Sequence, residues 1–255
     1  MPTPVSLYII TYNEAANLHA VLPTVLWADE VVVVDSFSTD DTAAVCAQFG
    51  VRHVNVKFAG FGKLRNDALA LLKYDWVVSI DSDERCTPEL AAEIRRELTA
   101  GTQFDAYHVP RKSHFLGRWM RHSGWYPDYR QPQLFNRKKM RYAADLVHEG
   151  YELQGRLGYL REHALQFPWP TLEVAIAKLQ RYSTLMALRY AAKNRRATLS
   201  RLLFSPIGMF LKVYLLKNGW RDGRHGFILA VFYAYYTFLK YAKLWEQQQK
   251  PDGKV

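Results

Sequence analysis

Cysteine is nearly missing from this chain: two residues in 255, Cys46 and Cys86. They lie far apart and without paired spacing, which argues against a disulfide framework or a cysteine metal site and for a reducing compartment. No basic leader opens the chain, since Met1-Pro2-Thr3-Pro4 runs straight into an apolar segment, so no secretory signal is expected. Internal repeats and low-complexity linkers are absent, and no glycine-rich loop follows the first apolar run. Acidic residues almost vanish from the last hundred positions. Residues 156–255 hold 17 Lys/Arg against 5 Asp/Glu, whereas residues 1–155 hold 17 against 19, so the net charge of +10 is C-terminal. What remains is 49% apolar, ample for a core, and the length suits one large domain with an appendage.

The first hundred residues alternate strand-like and helix-like segments. Val5–Ile10 is a short apolar run suited to a strand buried on both faces, Val31–Val34 and Trp76–Ile80 read as further buried strands, and Val51–Val56 as another strand. Between them, Leu18, Val21, Leu22 and Val25 recur at helical spacing, as do residues of Leu64–Leu72. Ser38-Thr39-Asp40-Asp41 reads as a helix start, and Gly50 as the glycine that ends that helix. Thr87 and Pro88 read as N-cap and first helical residue of another. This order predicts a mainly parallel sheet flanked by helices. Tyr107–Pro110 and Gln133–Asn136 are expected as shorter strands, with an aromatic loop over His114–Tyr129. From about Thr171 the chain is expected to be helical.

Three polar clusters fall at strand carboxyl ends: Thr11-Tyr12-Asn13-Glu14, Asp35-Ser36, and Asp81-Ser82-Asp83-Glu84. Ligand sites of open α/β sheets form there. Each cluster taken singly is also a plain turn or helix start, but their joint placement favours a site. Paired carboxylates at a strand tip are hard oxygen ligands for a divalent cation.

These strings, with Lys63-Leu64-Arg65-Asn66, resemble glycosyltransferase family 2, whose fold is the GT-A nucleotide-sugar fold. Gln133-Leu134-Phe135-Asn136-Arg137, Val147-His148-Glu149 and Gly219-Trp220-Arg221-Asp222-Gly223-Arg224-His225-Gly226-Phe227 resemble the branch containing lipopolysaccharide inner-core β-1,4-glucosyltransferases. The resemblance implies an inverting transfer of a hexose, glucose from UDP-glucose, to a lipopolysaccharide-core sugar or another glycolipid. By the same resemblance, residues 1–165 form the catalytic domain and residues 166–255 a helical extension. Thr11, Tyr12, Asn13 and Glu14 would line the nucleoside pocket, and Asp35 would accept from uracil or ribose. Lys63 and Arg65 would face the nucleotide. Asp81, Ser82 and Asp83 would hold ribose and an Mg²⁺ or Mn²⁺ ion, with Asp83 the more direct ligand and His148 a further one. An inverting transfer needs a base at the acceptor hydroxyl, for which Glu149 is the first candidate and Asp128 its rival. The Glu-Asp dipeptide that supplies the base in many family members is absent. Trp125, Tyr126 and Arg130 are candidate acceptor contacts, with core packing the alternative for the aromatic pair.

Phe204–Leu216 and Phe227–Leu239 are apolar runs shorter than the roughly 20 residues of a spanning helix. Lys212, Lys217, Lys240 and Lys243 interrupt or bound them, and the second is rich in aromatics. Such helices suit the headgroup layer of an anionic membrane, which would place the protein on the cytoplasmic face of the inner membrane. Packing within a helical subdomain is the alternative. No RNA-recognition signature accompanies the basic residues, and nucleic acid is not an expected partner.

Overall fold

The computed structural model describes residues 3–143 and 150–249. Its contacts divide the chain into two units, Met1–Lys112 with Pro127–Gln166, and Ser113–Tyr126 with Phe167–Val255. The strands are β1 (Val5–Thr11), β2 (Glu30–Asp35), β3 (Arg52–Asn55), β4 (Trp76–Ser79), β5 (Glu84–Cys86), β6 (Ala106–His108) and β7 (Arg111–Phe115). They continue as β8 (Arg118–Trp119), β9 (Leu134–Asn136), β10 (Met140–Tyr142), β11 (Tyr151–Leu153), β12 (Leu157–Tyr159) and β13 (Ala164–Trp169). The helices are α1 (Ala15–Val21), α2 (Thr42–Gln48), α3 (Phe61–Leu71), α4 (Pro88–Ala100), α5 (Leu172–Ala192), α6 (Leu199–Leu211) and α7 (Gly223–Gln249).

The first unit is built on a seven-stranded sheet in the order β12-β6-β9-β4-β1-β2-β3. β1 pairs in parallel with β2 on one side and β4 on the other, and β3 extends the parallel set. β9 enters antiparallel between β4 and β6. The strand order therefore reverses at β1, and the crevice beyond its carboxyl end is the topological switch point. β1 is buried along its whole length, as a central strand covered on both faces must be. Its alternating side chains serve two cores. Val5, Leu7 and Ile9 pack with Leu18, Leu22, Leu90 and Ile94 from α1, the turn after it, and α4. Tyr8 and Ile10 pack with Leu64, Ala68 and Phe135 on the other face.

Local chemistry explains the helix ends. The Thr87 hydroxyl accepts from Leu90 N with Pro88 beside it, as the sequence predicts. Gly50 takes a left-handed φ of 63° just past α2. The start of α2 differs in detail. Asp40 Oδ1 accepts from Thr42 N, while Ser38 turns back to Asp35. The acceptor for the helix start is thus the third residue of the predicted motif, because the first is used elsewhere.

The second unit holds the β7–β8 pair of His114 with Trp119 and the three long helices, with α7 packed against α5 and α6. Phe115, Met120, Trp125 and Leu229 form its first core cluster; Ala187, Tyr241 and Leu244 form a second. α7 is a packed helix. Lys240 is only 9% exposed and lies over the rings of Tyr190, Tyr236 and Tyr241, and burial lowers its pKa. Lys243 Nζ donates to Gln180 and to the Ser183 and Thr184 hydroxyls. These two lysines are engaged inside the unit, contrary to their expected place on a membrane-facing surface. α6 is different. The Thr198 hydroxyl caps it by accepting from Arg201 N, so the helix starts five residues before the apolar run Phe204–Leu216. With the π-helical turn Lys212–Leu216 it makes an 18-residue stretch, long and apolar enough by length and composition to cross a membrane. Leu199, Leu203, Phe204, Ile207 and Leu216 are all more than half exposed.

Candidate active site

The acidic turn follows β4 directly. Glu84 N donates to Asp81 O to close it, and the chain then enters β5, paired with β13. Its carboxylates have different fates. Glu84 is fully buried. One oxygen takes Arg111 Nε at 2.5 Å, and the other accepts from Asp81 N at 3.0 Å and Gln133 Nε2 at 2.8 Å. Burial pushes its carboxyl up to about 7 against the pull of Arg111. Asp81 is about one-third exposed and accepts from Arg65 Nη2 at 2.8 Å. Burial opposes its ionisation, but Arg65 and then Arg111 hold its pKa below the usual carboxylate range. Asp83 and Ser82 are half-buried, and Ser82 O accepts from Arg85 Nη1.

Two arginines support this turn from below. Arg65, 3% exposed, projects from α3, donates to Ser79 Oγ as well as to Asp81, and lies 5.5 Å from the centre of the Tyr142 ring. Arg111, also 3% exposed, donates from Nη1 to Asp128 O at 2.8 Å. Both Asp128 carboxylate oxygens lie within 3.0 Å of Arg130 Nε, and Arg130 is largely exposed. Arg65, Asp81, Glu84, Arg111, Asp128 and Arg130 thus form one connected network, in which the two acids of the turn are joined through the Asp81 amide.

The tips of β1 and β2 are laced together. Asn13, at φ 53°, donates its backbone N–H to Ser38 Oγ and accepts Thr39 N on Oδ1. Asp40 Oδ2 accepts from Ala15 N. Asp35 is 2% exposed; Oδ1 accepts from Ser38 N and Oγ, and Oδ2 lies 3.0 Å from His53 Nε2. Both its oxygens are thus occupied. Beside it, the hydroxyls of Thr11 and Ser36 are buried without a hydrogen-bond partner among the described residues. Buried polar groups are nearly always satisfied, and these two hydroxyls at adjacent strand tips are exceptions. Tyr12 is half exposed above them, and Glu14 Oε2 accepts from Asn17 Nδ2.

The remaining candidates are placed as follows. Lys63 Nζ donates to both oxygens of Asp67 on the exposed side of α3. Trp125 is 9% exposed in the core of the second unit, and its Nε1 donates to Tyr233 Oη. Tyr126 is 37% exposed, edge-on to Trp119. His148 and Glu149 lie outside the described residues. Among the described residues no cluster of three or more His, Cys, Asp or Glu side chains has metal-binding geometry.

The family model described as "Glycosyl transferase family 2" matches residues 6–162. The chain is a member of glycosyltransferase family 2. The lipopolysaccharide core biosynthesis glycosyltransferase LpsC of Rhizobium meliloti (strain 1021) is 31% identical over 255 residues, covering 96% of this chain and 93% of LpsC. An uncharacterised glycosyltransferase of Rickettsia felis is 27% identical over 98% of this chain and 93% of its own length. Among solved structures, the mannosyltransferase PcManGT of Pyrobaculum calidifontis, in complex with GDP-Man and Mn²⁺, superposes with a TM-score of 0.54 at 16% identity, over 97% of this chain and 90% of that one. That likeness shows the shared fold, a mainly parallel α/β sheet of the GT-A kind.

Within this family 2 site, the residues that sequence reasoning overlooked are those that hold it up. Glu84 was visible as the fourth member of the acidic turn, yet its inward direction was not. Gln133 stood in a quoted motif without a role. Arg111 had no sequence signal, since its partner Glu84 lies 27 positions away.

Breaking a buried ion pair on one side leaves an uncompensated charge, at a cost of roughly 3–5 kcal/mol. Arg111→Met should therefore lower the urea unfolding free energy by about that amount, and Arg111→Met with Glu84→Leu should recover most of it. Identical losses in the single and double variants would contradict the pairing.

Proposed function

We propose that this family 2 enzyme transfers glucose from UDP-glucose, with inversion, to a sugar of a lipopolysaccharide core. The acidic turn at the sheet's switch point carries the nucleotide-sugar reading, and the similarity to LpsC supports the acceptor class. A different nucleotide-sugar or glycolipid acceptor would use the same residues. Nucleotidyl transfer is disfavoured by Thr11-Tyr12-Asn13-Glu14, which replaces a glycine-rich loop after β1.

The donor set fits a hard divalent cation such as Mg²⁺ or Mn²⁺. Asp83 is half-buried at the turn, and Asp81 keeps Oδ2 without a hydrogen bond among the described residues. Glu84 is spent inward and is no ligand. When bound there, such an ion supplies positive charge for the leaving diphosphate. The PcManGT complex, which contains Mn²⁺, is consistent with this reading. Thr11 would line the nucleoside pocket, and the half-exposed Tyr12 would cover the nucleoside. Asp35, with both oxygens occupied, would act by holding the Ser38 turn. Arg65 stays beneath the turn and fixes Asp81.

Glu149 is proposed as the base that takes the acceptor proton. Asp128 is the weaker candidate because both its oxygens already face Arg130, which is exposed enough to meet an acceptor. Glu149→Gln should keep UDP affinity and lose transfer by more than about a hundredfold; Asp128→Asn should lose less. A glucosyl-transfer assay with truncated lipopolysaccharide distinguishes them, and a larger loss in Asp128→Asn would reverse the assignment.

Association with an anionic membrane surface is proposed through α6. Its apolar residues are exposed and are bracketed in sequence by Arg195, Arg196, Arg201, Lys212 and Lys217. Phe204→Ser with Ile207→Ser should reduce co-sedimentation with phosphatidylglycerol vesicles severalfold while leaving helix content unchanged. Undiminished sedimentation would remove α6 as the contact.

A further inference from the structure

The motif Gly219–Phe227 is not used in the donor-site reading, and its Arg221 and Asp222 line a cavity in the second unit. This cavity, about 450 Å³, is lined by Arg118, Trp119, Arg121, His122, Arg221 and Asp222. Three arginines line it from two segments, the β8 strand with the turn after it, and the 3₁₀ turn Gly219–Asp222. None of the three makes an ion pair with a described residue. The single carboxylate does not neutralise them. Asp222 is 2% exposed and is turned inward, accepting from Arg121 N, His122 N and Ser123 Oγ.

That inward bonding clamps the two segments together. Gly226 closes the 3₁₀ turn onto α7, where a Cβ would lie 1.9 Å from Gly219 O, and a Cβ on Gly219 would lie 3.1 Å from Ser123 Oγ across the junction itself. Gly223, at φ 61°, turns the chain from the 3₁₀ turn into α7. The arginines are therefore presented from a fixed frame, with Arg121 stacked 4.6 Å from the centre of the Trp119 ring. A merely solvated basic face has no need of a buried carboxylate capping its backbone or of glycines permitting its closest crossing.

We propose that this cavity binds a phosphate group carried on a saccharide. Guanidinium forks match phosphate oxygens in pairs, and three cations suit a dianionic, tetrahedral group better than a carboxylate of single charge. The volume exceeds that of a bare phosphate and falls in the range of small-ligand sites. The ring of Trp119 offers an apolar face to sugar C–H groups. The proposal does not depend on the assignment of the donor site.

Titration calorimetry of the full chain with glucose 6-phosphate tests it. Saturable binding is expected, weakened at least about tenfold (roughly 1.4 kcal/mol) in Arg118→Gln/Arg221→Gln and retained in Asp83→Ala, which separates this site from the donor site. Glucose alone should not bind, and phosphatidylglycerol vesicles should not compete. Equal affinity in the double variant, loss in Asp83→Ala, no saturable binding, or displacement by the vesicles would each overturn the proposal. Should the double variant unfold by circular dichroism, Arg221→Lys keeps the charge but removes the fork, and is expected to bind severalfold more weakly; unchanged affinity there overturns it equally.

Discussion

Two arginines with almost no exposure, Arg65 and Arg111, determine how the tip of β4 is built. A buried cation must be paired and fully hydrogen-bonded, and each finds its anion within the same four-residue turn. Arg65 takes Asp81, and Arg111 takes Glu84. That demand forces Glu84 inward, where Gln133 and the Asp81 amide complete its bonding. With Glu84 consumed, Asp81 Oδ2 is the carboxylate oxygen of the Arg65 and Arg111 pairs left without a hydrogen bond among the described residues. The network continues through Asp128 to Arg130, so the strand tip and the segment around Asp128 are linked by charge.

The two units use a common device for different ends. In each, one fully or almost fully buried carboxylate satisfies backbone amides of a neighbouring turn: Glu84 for Asp81, Asp222 for Arg121 and His122. Around Glu84 the arginines are internal and pair with carboxylates of one turn. Around Asp222 the acid is internal and the arginines line a cavity, which suits an anion. Holding turns by a buried carboxylate removes the conformational freedom that a ligand would otherwise have to restrict.

Much of the first unit was legible in the sequence, for a physical reason. Strands covered on both faces are continuous apolar runs, and their ends are set by the first polar residue, so Thr11, Asp35 and Asp81 could be placed at once. The strand at Leu134–Asn136 was legible, but its place in the sheet was not, because its spacing says nothing about which strands flank it. Arg111 escaped for the same reason, since an ion pair between residues 27 positions apart leaves no periodic trace, whereas Arg65 stood out but for the nucleotide side rather than for Asp81. In the second unit, Lys240 and Lys243 resembled surface charges because their aromatic and hydroxyl partners come from other turns and another helix. α6 proved longer than its apolar run, since Thr198 caps a turn containing Arg201 that hydrophobicity alone would not include.

In the proposed function, the Arg65- and Arg111-braced turn holds a cation beside a nucleotide diphosphate. Titrating UDP into the wild-type chain with Mn²⁺ and then with EDTA, and repeating both with Asp83→Ala, tests it most directly. The account predicts binding at least about tenfold tighter with Mn²⁺ in the wild type, a gain of roughly 1.4 kcal/mol, and no such gain in the variant. Equal UDP affinity with and without metal, or an undiminished metal effect in Asp83→Ala, would contradict it.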